Sequence, residues 1–103
     1  MSIIEEQLNI EQQFIEIKNK LQLLLSSQLN IELINQLIDL CNTYNKLSIN
    51  EIQQTEKLID KMYSIIKEDT NLIIEYKIQL LTILKSLKKL INNLVVNTII
   101  NSI

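Results

Sequence analysis

Tyr44-Asn45-Lys46-Leu47-Ser48-Ile49-Asn50-Glu51-Ile52 joins two apolar, helix-like patterns without a glycine or a proline. If the backbone keeps winding through it, the second half of the chain is one long helix that needs partners. If it stops there, the chain can fold back and cover its own apolar surface. Ser48 followed three residues later by Glu51 has the spacing of a capping box, a local signal for a helix start. Heptad phase argues the other way. Ile38 and Ile52 lie fourteen residues apart with Asn45 midway, so the sevenfold register crosses the stretch with a single polar interruption.

That register is the strongest pattern in the chain. Every seventh residue from 52 to 94 is Ile or Leu: Ile52, Ile59, Ile66, Ile73, Leu80, Leu87 and Leu94. The same phase reaches back through Ile38, Ile31, Leu24, Ile17, Ile10 and Ile3. A seven-residue apolar repeat keeps one stripe on one side of slightly underwound helices, as a coiled coil requires. Met62, Tyr76, Ile83 and Leu90 supply the companion positions in the last third, and Phe14 and Leu21 do so near the start. Leu58, Ile65, Leu72, Ile74, Leu81 and Val95 widen the stripe, which suits a helix touching more than one neighbour.

Giving the phase precedence predicts an all-α, elongated helical coiled coil. A short N-terminal helix with a loop over 1–28 precedes one or two long helices over 29–103. Continuous from about 30 to 100, such a helix is roughly 105 Å long, with Asn45 as a buried polar residue that fixes register. A break at Ser48 is the alternative. Other stop-start signals are Ser2 with Glu5, the weakly helical Ser26-Ser27, and the Lys67–Asn71 run, where Asp69 or Thr70 has the chemistry to cap a new helix.

Composition supports the fold class. The 103 residues contain no Gly and no Pro, the usual residues of tight turns, so few and short connections between helices are expected. Each Ile or Leu removed from water contributes about 1.5–3 kcal/mol, too much for an isolated helix to leave unused. Burial against other chains is therefore expected at Ile52, Ile59, Met62, Ile66, Ile73, Tyr76, Leu80, Ile83, Leu87, Leu90 and Leu94. A small self-contained bundle is the alternative.

A net charge of −2, with both signs interspersed, argues against nucleic-acid binding, which calls for a basic face. Lys85, Lys88 and Lys89 share one helical face and read as a solvated flank, with an anionic-lipid contact as the rival. One cysteine and no histidine leave no basis for a zinc site, and Cys41 on an apolar face reads as a small hydrophobe. No cofactor is expected. Glu5-Glu6 and Glu68-Asp69 are adjacent in sequence and are not expected to share a pocket, so catalysis is not expected. The start is acidic and polar-interrupted, unlike a signal peptide. The apolar stretch from Leu90 is short and broken by asparagines, so no transmembrane segment is expected.

Residues 40–48, "LCNTYNKLS", resemble the Leu-then-Asn-Lys-Leu signature of the subunit 2 family of the biogenesis of lysosome-related organelles complex, through Leu40, Asn45, Lys46 and Leu47. Leu25-Ser26-Ser27-Gln28-Leu29 is similar to the family's Leu-x-x-Glu-Leu, and Tyr76, Gln79, Leu80 and Ile83 to its Tyr-x-x-Gln-Ile-x-x-Ile. The chain departs from the family at Ile52 and Glu75, where Tyr and Pro occur. The resemblance implies a non-catalytic coiled-coil subunit of a cytosolic complex acting in endosome-to-lysosome-related-organelle trafficking and lysosome positioning. Its partners would be other helical subunits. Its location would be cytoplasmic, peripheral on endosomes or lysosomes through those partners. A second resemblance, of "LSINEIQQTEKLI" and "LLTILKSLKKLI" to the N-terminal domain of transcription elongation factor S-II, implies instead a compact helical interaction module.

Overall fold

The computed structural model describes the backbone over residues 3–25 and 31–102, with side chains over 9–25, 31–96 and at 99. All the regular structure among the described residues is helical, as composition requires. Four α-helices occur in order: α1 (Ile3–Leu25), α2 (Ile31–Thr43), α3 (Ile49–Glu68) and α4 (Ile74–Ser102), with a 3-10 turn at Tyr44–Lys46 between α2 and α3. The chain divides into two compact units, Met1–Leu47 and Ser48–Ile103. The boundary anticipated at 28/29, like the signals at Ser2 and Ser26-Ser27, lies outside the described residues.

In the first unit α1 packs against α2. Ile10, Phe14, Ile17, Leu21 and Leu24 are buried on α1 at alternating intervals of four and three, meeting Ile34, Leu37 and Cys41 of α2. The rings of Phe14 and Tyr44 stack with centroids 3.9 Å apart and planes 13° from parallel. The Lys18 charge acts on Cys41. Advancing along α1 from Phe14 to Lys18 thus retreats along the second strand of the hairpin from Tyr44 to Cys41, which makes the two helices antiparallel.

The opening stretch resolves into a break, which corrects the expected continuity. After the 3-10 turn, Leu47 and Ser48 are extended, at φ −83°, ψ 138° and φ −72°, ψ 165°. Ser48 Oγ accepts from the Glu51 amide, and the Ser48 amide donates to Glu51 Oε1, each at 3.2 Å. These two bonds satisfy backbone donors that a helix start leaves open. Asn45 is exposed in the 3-10 turn rather than buried in a seam.

A second interruption separates α3 from α4 and corrects the expectation that the helix runs on from Ile66 to Ile73. Asp69 ends α3 in extended conformation (φ −73°, ψ 111°), its amide donating to the Ile66 carbonyl at 3.2 Å. Its carboxylate accepts from the Asn71 amide at 2.8 Å, and its carbonyl accepts from Lys77 Nζ at 2.8 Å. Asp69 therefore closes a turn after α3, and α4 begins at Ile74. Neither Ser48 nor Asp69 needs a positive φ, so α3 starts and ends without glycine.

α3 and α4 pack together as the second hairpin. Lys85 Nζ lies 5.9 Å from the Tyr63 ring centroid, and Lys88 Nζ pairs with Asp60 Oδ1. Stepping back three residues along α3 advances three along α4, so the pair is antiparallel. Ile52, Ile59, Met62 and Ile66 are buried on α3, and Tyr76, Leu80, Ile83, Leu84, Leu87, Leu90 and Ile91 on α4.

Candidate interaction surface

Nine of the eleven residues expected to bind partners are buried within the chain: Ile52, Ile59, Met62, Ile66, Tyr76, Leu80, Ile83, Leu87 and Leu90. Leu94 is half-buried. Ile73 is 63% exposed. It lies in the turn, where the chain reverses, so its sevenfold spacing from Ile66 no longer places both on one stripe. The structure brings the α3 and α4 halves of the set together and leaves Ile73 outside.

Two core residues of the second hairpin stand beyond that set. Leu84 and Ile91 are fully buried. Each lies four residues after a main-register leucine, Leu80 or Leu87. The signal was present: α4 carries a double row, 80/84/87/91 beside 76/80/83/87/90, and a double row marks a wider buried face.

What remains outside is aliphatic and grouped. Ile74 and Ile78, 61% and 56% exposed, are one turn apart on α4, beside Ile73 in the turn. Half-buried Leu81 continues the same row three residues on. On α3, Leu58 and Ile65 are 46% and 55% exposed and spaced by seven. In the first unit Ile15, Leu23 and Ile31 are exposed. Scattered surface aliphatics are ordinary, whereas a run on one face and its adjoining turn is characteristic of an interaction site.

The polar groups are arranged as structural supports. A shallow depression of about 240 Å³ is lined by Ile59, Asp60, Tyr63, Leu84, Lys85 and Lys88. Its charged groups are engaged within the hairpin: Lys88 pairs with Asp60, and Lys85 lies over the Tyr63 ring. Two of the three clustered lysines thus clasp α3 to α4, and Lys89 is exposed. The Asp60–Lys88 pair is partly solvated, so it contributes at most about 1 kcal/mol. Asp69 is occupied in the turn, and no side-chain group among the described residues gathers three or more metal-capable ligands. Glu5 and Glu6 have no described side chains.

Cys41 is buried, and burial pushes its thiol from 9.0 up to about 11, partly opposed by the Lys18 charge. Thiolates rather than thiols are nucleophiles. At neutral pH this cysteine is an inert piece of the α1–α2 core. Tyr44 is raised in the same direction by burial and then by the Glu11 charge. No described helix is long and apolar enough to cross a membrane.

Comparison with family models, curated proteins and solved structures found no match for this chain.

Proposed function

We propose that the chain is a non-catalytic helical subunit of a larger assembly, docking other helices on aliphatic surface that its own hairpins leave exposed. The observation that carries this reading is the Ile73, Ile74, Ile78 group at the turn end of the second hairpin. Aliphatic side chains on an outer helix face are removed from water only by another molecule, and an amphipathic partner helix has the matching shape and chemistry. An elongated coiled coil is then a property of the assembly, in which the hairpins align with the helices of sister subunits. The resemblance through Leu40, Asn45, Lys46 and Leu47 supports a role for that assembly in endosome-to-lysosome-related-organelle trafficking and lysosome positioning. The same resemblance supports a cytoplasmic location, peripheral on those membranes through partners.

The test is affinity purification from the native source, with Ile74→Asp/Ile78→Asp compared against wild type. Sister helical subunits should co-purify in fixed stoichiometry with wild type and be lost from the variant, whose far-UV circular dichroism stays unchanged. Retention of the same partners by the variant contradicts the proposed surface, and recovery of the chain without partners contradicts subunit status. The helix break at Ser48 and the reversal at Asp69 favour a second reading, an interaction module of short helices like the elongation-factor domain. Transcription proteins among the co-purified partners would select it.

A further inference from the structure

The outer edge of α3 has a symmetry that the proposed assembly does not use. Ile65 is exposed in the last turn of that edge, with exposed Leu58 two turns before it. On the adjoining row, Lys61 and Glu68 are both exposed and sit four residues before and three after Ile65. The ion pair found among the described residues, Asp60–Lys88, uses neither of them. At 1.5 Å per residue, Lys61 and Glu68 are about 10.5 Å apart along the axis, with Ile65 within about 1 Å of their midpoint.

A two-fold axis through Ile65, perpendicular to α3, runs a second α3 antiparallel to the first. It sets Ile65 against Ile65 of the copy. It also places Lys61 of each chain opposite Glu68 of the other. A patch that is its own complement under a two-fold is what an isologous dimer requires. A parallel arrangement would set Lys61 against Lys61 and Glu68 against Glu68. We propose that the outer edge of α3 is a self-association surface, and that its occupant is the α3 edge of a second copy, antiparallel and centred on Ile65. The apolar area is small beside the roughly 800 Å² per partner of a stable interface, so the dimer is weak and concentration-dependent.

Sedimentation equilibrium on the full chain at low salt, from about 10 μM to about 1 mM, tests this. Wild type should pass from monomer to dimer across that range, and Ile65→Asp should stay monomeric with unchanged helicity. Lys61→Glu alone should weaken the dimer about tenfold, since it turns two attractive contacts into repulsive ones. Adding Glu68→Lys restores opposite charges across the two-fold and should recover wild-type association. Monomer throughout for wild type overturns the proposal, as does undiminished association of Ile65→Asp. Failure of Lys61→Glu/Glu68→Lys to recover overturns the antiparallel register.

Discussion

Leu84 and Ile78 have similar side chains on one helix and opposite surroundings: Leu84 is fully buried and Ile78 largely exposed. Leu84→Ala should therefore cost about 2–5 kcal/mol, from lost transfer energy and the cavity it leaves. Ile78→Ala should stay within about 0.5 kcal/mol. Urea unfolding curves measure both, and equal costs would contradict the placement of Leu84 in the core. Cys41 gives the first unit a pH dependence. Its folded thiol holds a proton more tightly than an unfolded one, so below pH 9.0 both states are neutral and stability is unaffected. Between 9.0 and about 11 the unfolded thiol ionises while the folded one resists, and stability falls as pH rises through that window. Tyr44 adds to the loss in the same direction. The urea midpoint should drop less over that window in Cys41→Ala than in wild type; an identical drop would remove Cys41 as a cause.

Element boundaries turned on two short polar motifs. Ser48→Ala removes the side-chain acceptor of the α3 capping box and should cost about 1 kcal/mol, most of it recovered by Ser48→Asp. Thermal unfolding followed by circular dichroism checks this, and a silent Ser48→Ala would mean that the cap does not hold the α3 start. That box was legible in the sequence, and so was the all-α class, from the missing Gly and Pro and the 3–4 spacing of apolar residues. Heptad phase misled because 47% of the chain is hydrophobic, so aliphatics recur at sevens across a turn without a continuous helix behind them. At 67–71 the ambiguity was chemical. An aspartate beside a helix boundary caps a start or closes a turn after an end with the same carboxylate, and its role depends on whether Asn71 folds back onto it. The candidate surface is half legible: the sequence pattern marks Ile65, Leu58, Ile74 and Leu81 as flanks of the seam, but which residues stay outside depends on where the chain reverses after α3.

Each hairpin of the molecule buries its own aliphatic face. The aliphatic repeat that reads as a seam for other chains is consumed within the second hairpin, because α3 ends at Glu68 and α4 runs back along it. The surface open to the proposed partners is then only what is left over. Ile59→Asp and Leu87→Asp should accordingly abolish the cooperative unfolding transition. Ile78→Asp should leave it intact, and a folded Ile59→Asp would return Ile59 to the surface. Lys57 and Lys89 are exposed on the two arms of the hairpin, 32 residues apart in sequence. Spin labels at Lys57→Cys and Lys89→Cys, in a Cys41→Ala background diluted with unlabelled protein, report their separation by double electron–electron resonance. Packed antiparallel helices 8–10 Å apart predict a distance below about 25 Å with label arms included, whereas a distance near 48 Å, the span of 32 residues in unbroken helix, would contradict the account.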